Sequence, residues 1–152
     1  MQRMPKSVAM VAGLLWAGAL GMLAGCDDLP RDPEDTTEQV TGAVLRVGWV
    51  AGAEPSEIER AAVQDLAGRL DAAVTATEGP VHQLVADLDE GKLHLVGGAL
   101  PEKTPFASDI GLSKPVGTVV LRGEAQPTVM AIRSGENRFL RLVNEAIEKA
   151  KR

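Results

Sequence analysis

One thiol and two imidazoles are the side chains of this sequence best suited to covalent or metal chemistry. Cys26 is the only cysteine among 152 residues, and His82 and His94 are the only histidines. A zinc site needs at least three protein ligands, and no further cysteine or histidine stands near this pair at ligand spacing. We therefore expect neither a metal nor another cofactor. We interpret His82 and His94 as ordinary helix and strand residues.

The surroundings of Cys26 indicate export. The thiol follows an uncharged apolar run over residues 7–25, and two basic residues precede that run. A positive start, an apolar middle and a small-residue exit are typical of a secretory signal. The sequence Leu23-Ala24-Gly25-Cys26 also resembles the lipobox of bacterial lipoproteins. That resemblance implies that the signal peptide 1–25 is removed and that the sulfur of Cys26 carries a lipid such as a diacylglycerol with palmitate chains.

Membrane attachment is expected whether or not the signal is cleaved. The alternative interpretation of residues 7–25 is an uncleaved transmembrane anchor, for which the run is long enough. In either case we expect the rest of the chain in the cell envelope, in the periplasm or on the outer face of the cytoplasmic membrane. The sequence does not decide between the inner and the outer membrane.

Charge excludes nucleic acid as a partner. After removal of residues 1–25 the chain would keep fourteen basic and all twenty-one acidic residues, a net charge of −7. A protein with that balance lacks the positive surface that phosphates require. Residues 26–42 are rich in Pro, Asp, Glu and Thr, and this composition predicts a lipidated cysteine followed by a flexible tether. Residues 43–152 are then the single folded domain.

Within that domain, apolar segments alternate between β-type runs and amphipathic patterns. This alternation predicts an α/β fold with a mostly parallel sheet flanked by helices. Ser56 and Glu59 form a capping-box pattern at the start of a helix, Gly91 is a predicted helix end, and Ser134 is the predicted cap of the last helix. The predicted strands are 44–50, 71–77, 93–96, 118–122 and 128–132, and residues 101–115 are a predicted loop.

Four segments resemble one family when they are taken in order. They are LRVG at 45–48, LVADLDEGKLHLVGG at 84–98, TPFASDIGLSKP at 104–115 and VMAIRSGEN at 129–137. Their order and spacing are similar to those of the amino-acid type (family 3) of periplasmic solute-binding proteins, which serve ABC transporters. The resemblance implies a type II binding-protein fold with two lobes. Only fourteen positions separate Pro115 from Val129, where the family inserts its second lobe, so we expect a single first lobe.

The same resemblance implies a set of ligand-binding residues. In the family, the loop after the helix-Gly-strand unit holds the α-carboxylate of the ligand, and the matching positions here are Gly98, Ala99, Leu100 and Lys103. Trp49, at the end of the first strand, could stack on a ligand. The alternatives stay open: Gly98 in a simple turn, Lys103 as a solvated charge, and Trp49 as a cover for the edge of the core.

No catalytic pattern accompanies these positions. The sequence has no Gly-x-Ser-x-Gly motif and no phosphate-binding loop, and the acidic residues around Lys92 are interpreted as a solvated helix end. We therefore expect a non-enzymatic, lipid-anchored protein that is accessory to, or a component of, a membrane transporter of small amino-acid-like solutes. The alternative is a protein–protein interaction module that has lost ligand binding.

Overall fold

The computed structural model describes residues 29–152, which form a six-stranded mixed sheet with helices on both faces. The helices are α1 (Thr36–Val40), α2 (Glu57–Arg69), α3 (Val81–Asp89) and α4 (Asn137–Ala150), and the strands are β1 (Val44–Val50), β2 (Ala73–Gly79), β3 (Leu95–Pro101), β4 (Ile110–Leu112), β5 (Gly117–Leu121) and β6 (Glu124–Arg133). Cys26 and residues 1–25 lie outside the described residues.

Five of the six strands run in one direction. The sheet order is β2-β1-β3-β6-β4, with β5 also paired to β6. Strand β1 pairs in parallel with β2 and β3, whereas β6 pairs antiparallel with β3, β4 and β5. The α/β class and the mostly parallel sheet predicted from the alternation of segments are therefore confirmed.

Alternate strand residues supply two separate cores. On one face, Leu95, Met130 and Ile132 pack with α2 and α4, which lie side by side. On the other face, Val96 and Val129 pack with α3. This is the period-two alternation expected of strands that are covered on both sides.

Helix α2 begins as its sequence predicts. The Ser56 Oγ accepts a hydrogen bond from the Glu59 backbone N–H at 3.2 Å, and the Glu59 carboxylate accepts one from the Ser56 N–H at 2.7 Å. Gly91, at φ +74°, follows the end of α3 in the left-handed conformation. Both local signals depend only on residues within one helical turn of the helix end, which explains why they can be identified from sequence.

The prediction of a flexible tether is wrong for the second half of residues 26–42. Residues 36–40 form α1, and Val40 is fully buried in the core beside α4. Asp32 is also buried: its carboxylate accepts hydrogen bonds from the Thr37 N–H at 3.1 Å and from the Phe139 N–H at 2.9 Å. We call residues 32–40 the N-terminal clasp, because they hold the start of α4.

The start of α4 also differs from its prediction. Ser134 is exposed, and the residue that precedes the helix is Glu136. The Glu136 carboxylate makes no cap of its own helix; it accepts hydrogen bonds from the Glu34 and Thr36 N–H groups at 2.9 and 3.0 Å. Asp32 therefore caps both helices, through Thr37 of α1 and Phe139 of α4, and Glu136 adds a second cap to the start of α1.

Several further boundaries differ from the predictions. Strand β2 (Ala73–Gly79) ends two residues beyond the predicted 71–77, and β6 (Glu124–Arg133) is longer at both ends than the predicted 128–132. The predicted loop 101–115 contains the short strand β4, and β3 extends beyond 93–96 to Pro101. Among residues 29–152, no helix combines the length and the apolar character needed to cross a membrane.

Candidate functional site

The carboxyl ends of the parallel strands β1 and β3 lie side by side, and this is the edge where ligands bind in sheets of this kind. Beyond Gly97, which pairs with Trp49, the register of β3 against β6 shifts between Val96 and Leu100. The shift is a bulge in which Gly98 has φ +97° and Ala99 φ +55°. Left-handed backbone at a non-glycine residue is uncommon, so this bulge is the strained part of the edge.

Gly98 is required by close packing as well as by its conformation. A Cβ atom at this position would lie 2.9 Å from the backbone nitrogen of Val50. Real Cβ atoms do not come this close to a backbone atom. The glycine therefore allows the bulge of β3 to lie against the end of β1.

Glu59 joins this bulge to helix α2. The residue is 1 % exposed, and its Oε1 accepts a hydrogen bond from the Gly98 N–H at 2.8 Å. Its Oε2 accepts from the Ser56 N–H, as described above. Both carboxylate oxygens are therefore hydrogen-bonded to backbone donors, as a buried carboxylate requires.

The Trp49 side chain covers the glycines at the end of β3. It is half-buried and packs against the core shared by α2 and α4. A Cβ atom at Gly97 would lie 2.6 Å from the Trp49 Cζ3 atom, so the indole lies directly over this glycine. Trp49, Glu59 and the Gly97–Gly98 backbone therefore form one packed unit.

The remaining residues predicted to bind ligand do not converge. Leu100 is 2 % exposed and belongs to the core on the α3 face, opposite the face that Trp49 covers. Ala99 is half-buried within the bulge. Lys103 lies beyond the end of β3, where it is exposed. The structure therefore brings together Trp49 and Gly98 and leaves Leu100 and Lys103 apart from them.

The sequence predicted Glu59 as a helix cap and missed its contact with β3. The capping-box pattern connects Glu59 with Ser56, three residues away. The bond to Gly98 spans 39 residues, and no local pattern indicates such a pairing. At the start of a helix, the sequence predicts an exposed glutamate. The complete burial of Glu59 is evident only from the structure.

The two histidines lie in different surroundings. His82 is exposed on α3, whereas His94 is 3 % exposed beside β1. The His94 Nδ1 atom accepts the Arg46 N–H at 3.1 Å, and the Arg46 guanidinium lies 2.7 Å from Nε2. Burial, with a smaller contribution from the positive charge of Arg46, lowers the pKa of His94 to about 4. His94 is therefore neutral at pH 7, and residues 29–152 contain no cluster of three metal-ligating side chains.

Near the end of α3, Lys92 is paired with two of the surrounding acidic residues. The Lys92 Nζ atom lies 2.5 Å from a Glu90 carboxylate oxygen and 3.6 Å from one of Asp87. The hydrogen bond and the charge of Glu90, followed by those of Asp87, raise the pKa of Lys92. These exposed ion pairs are typical of a solvated helix end.

A surface groove of about 580 Å³ lies elsewhere, along the outer side of α4. Its walls include Arg69, Lys114 and Lys149, and each of these cations is paired with a carboxylate of Asp65, Glu145 or Glu148. None of the residues predicted to bind ligand lines this groove. The groove therefore adds nothing to the edge formed by β1 and β3.

Comparisons with proteins of known structure identify the type of fold. No family model and no curated protein matches the sequence. Among solved structures, the arginine-bound form of domain 1 of ArgBP from T. maritima is 16 % identical, with a TM-score of 0.59 over 70 % of this chain and 92 % of that chain. An ancestral cationic amino acid solute-binding protein is 14 % identical, with a TM-score of 0.59 over 71 % of this chain and 90 % of that chain.

A third neighbour is a periplasmic binding protein of high arginine specificity from Salmonella typhimurium. It is 11 % identical, with a TM-score of 0.56 over 72 % of this chain and 93 % of that chain. Identities this low establish the fold and nothing finer. The described part of the chain has the fold of a single lobe of an amino-acid-type solute-binding protein.

Proposed function

We propose that this protein is a non-enzymatic, lipid-anchored component of the cell envelope that assists a membrane transport system for small amino-acid-like solutes. The proposal combines the binding-protein fold with the lipobox-like sequence that ends at Cys26. In this proposal the lipid on Cys26 keeps the domain near an integral membrane partner. The domain faces the periplasm or the outer side of the cytoplasmic membrane.

The single-lobe architecture is the observation that supports an assisting role. Drug-sized and metabolite-sized ligands are held in clefts that bury most of their surface. Here β5 and β6 are joined by two residues, Arg122 and Gly123, so no second lobe is inserted between them. One lobe offers one wall of a cleft. Domain 1 of ArgBP from T. maritima has been solved with arginine bound, but in this chain the Gly98 N–H is already taken by Glu59, and we therefore expect the isolated chain to have a low affinity for a free amino acid.

Calorimetry with L-arginine and other amino acids tests this role. The full chain with Cys26→Ser, purified in a mild detergent, is titrated with each ligand. We expect no binding or a Kd weaker than about 100 μM. A ligand that binds in the nanomolar range would overturn the assisting role and make the protein a receptor in its own right.

Membrane attachment is tested by cell fractionation. Wild-type protein is expected in the membrane fraction with a mass increase on the peptide that contains Cys26. The variant Cys26→Ala is expected to lose that mass increase and to keep residues 1–25. An unmodified wild-type cysteine would contradict the lipid anchor.

A second candidate function, a protein–protein interaction module without a ligand, is favoured by Glu59. The resemblance assigns the backbone around Gly98 to a ligand carboxylate, but in this chain the Gly98 N–H already donates to the Glu59 carboxylate. The carboxylate of the protein occupies the donor that a ligand would need. Trp49 covers the neighbouring Gly97, which leaves little of the backbone accessible.

Lys103 separates the two candidates. It is the exposed cation nearest in sequence to the bulge, and the resemblance assigns it to the carboxylate of a ligand. Capture of the membrane partner by wild type and equally by Lys103→Ala, with no amino-acid dependence, supports the interaction module. Capture that needs both Lys103 and an added amino acid supports the solute-binding role.

A further inference from the structure

The hairpin of β5 and β6 has an unpaired apolar edge. Within the described residues, β5 pairs only with β6. Val120 is 68 % exposed and Leu121 38 % exposed, and β5 contains neither a charged residue nor a proline. Natural proteins usually protect such edges with charges, prolines or bulges, so this edge fits a strand-to-strand contact.

The turn of the hairpin determines which backbone groups are free. Arg122 and Gly123 have φ values of 51° and 83°, as a two-residue type I′ turn requires. In such a turn the flanking pair, Leu121 and Glu124, is hydrogen-bonded. Because hydrogen-bonded pairs alternate along an antiparallel ladder, Thr118 and Val120 direct their N–H and C=O groups away from β6.

The four outward groups, the N–H and C=O of Thr118 and of Val120, can pair with the same four groups of a second copy of the chain. If β5 pairs antiparallel with β5 of another copy and Val119 lies on the two-fold axis, Thr118 faces Val120 of the other copy on each side of the axis. All four outward groups of each strand are then hydrogen-bonded to the other copy. The exposed Val120 side chain is covered at the same time by a Thr118 side chain from its neighbour.

The opposite edge of the sheet, formed by β2, exposes less apolar surface for such a contact. Strand β2 exposes alanine, threonine and glutamate side chains, and its only valine is half-buried. The β5 hairpin also stands where the two-lobed proteins that this chain resembles insert their second lobe. We propose that a second copy of this chain binds there, through antiparallel pairing of the two β5 strands centred on Val119.

The proposed dimer is weak in solution. Pairing of two five-residue strands buries less surface than the roughly 1,200–2,000 Å² of stable interfaces. Covalent trapping is therefore a better test than size measurement. The chain contains one cysteine, so that Cys26→Ser gives a background in which an introduced thiol is unique.

Position-specific disulfide formation tests the register. In the proposed pairing, the two copies of residue 119 form a non-hydrogen-bonded pair with Cα atoms about 4.5 Å apart, whereas the two copies of residue 120 are diagonal neighbours about 7–8 Å apart. Mild oxidation of the full chain in detergent should link Val119→Cys at least about fivefold more than Val120→Cys. Random collision predicts the reverse, because residue 120 is the more exposed of the two.

A second pair of variants distinguishes pairing through the β5 edge from nonspecific hydrophobic association. Val120→Lys, added to Val119→Cys, should reduce the linked dimer to background, because two lysines would be brought into the interface. Leu29→Lys removes an equally exposed apolar side chain, 77 % exposed, and should leave the linked dimer unchanged. Equal yields from residues 119 and 120, or equal loss with both lysine variants, would overturn the proposal.

Discussion

Glu59 shows how one buried side chain can satisfy the backbone donors at the candidate site. Its carboxylate is held by two backbone N–H groups, one from the start of α2 and one from the bulge of β3. A negative group at the start of a helix is favourable in its own right. The same group also satisfies the donor at Gly98, so the edge is stable without any bound anion.

His94 gives the fold a measurable pH dependence. Its pKa is about 4 in the folded chain and about 6.5 when the chain is unfolded. The unfolded chain therefore binds more protons between these two values, and stability is lost as the pH falls from 6.5 towards 4. We expect a loss of about 2 kcal/mol between pH 7 and pH 5 from this residue.

Urea denaturation at pH 7 and pH 5 measures that loss. His94→Gln should show a smaller decrease in the free energy of unfolding than wild type over this interval. The exposed His82→Gln serves as the matched control and should behave as wild type does. Equal pH dependence in all three proteins would contradict the assignment to His94.

At the scale of elements, α1 and α4 share Asp32 as a cap. The carboxylate of Asp32 accepts the N–H of Phe139 in the first turn of α4 and that of Thr37 in α1. Phe139 is fully buried, so its N–H has no access to bulk water once Asp32 is removed. Loss of a helix cap typically destabilises by about 1 kcal/mol, and a buried donor left unsatisfied adds about 1–3 kcal/mol.

Asp32→Ala should therefore lower the free energy of unfolding by about 2–4 kcal/mol. Asp35→Asn is the control, because Asp35 precedes α1 without a side-chain cap and is exposed, and asparagine tolerates its left-handed conformation. Chemical denaturation compares the two variants. Similar stability for Asp32→Ala and Asp35→Asn would show that the shared cap contributes little.

The elements that sequence predicts well are those whose signals are local. The period-two runs predict the central strands, and the capping box predicts the start of α2, because each of these signals lies within a few residues. Helix α1 was missed because its composition is that of a linker, and Val40 is buried only through contact with distant α4. The prediction of Ser134 as the cap of α4 fails for a related reason: Asp32, the residue that caps α4, lies 107 positions before Phe139.

The candidate site was predicted in part for the same reason. The resemblance located Gly98 at the edge of the sheet, where the structure also has it. The side chain of Leu100 belongs to the core on the α3 face, as does Val96 four residues earlier, because the bulge adds two residues to β3 and so leaves the alternation of faces unchanged. The resemblance carries over positions along the chain, and a matched position does not specify the face on which its side chain lies.

At the scale of the whole molecule, the N-terminal clasp and the β5 hairpin lie at opposite ends of β6. Arg133 at one end is 3.4 Å from the Glu34 carboxylate of the clasp, and Glu124 at the other end follows the hairpin turn. The nine residue steps of strand between Glu124 and Arg133 separate these ends by about 31 Å. If Cys26 carries the proposed lipid, the few residues between Cys26 and Asp32 hold the clasp end towards the membrane and direct the hairpin away from it.

Truncation tests whether the clasp belongs to the domain. A chain that begins at Ala43, the domain start predicted from composition, lacks Val40, Asp32 and both hydrogen bonds to Glu136. It should be less stable than a chain that begins at Leu29 by at least about 3 kcal/mol, because a buried valine, the Asp32 cap of α4 and the two hydrogen bonds to Glu136 are lost together. Urea unfolding of the two truncated chains measures the difference. Coincident unfolding curves would restore residues 29–42 to the role of a simple spacer, and the domain would then be free to turn about its anchor.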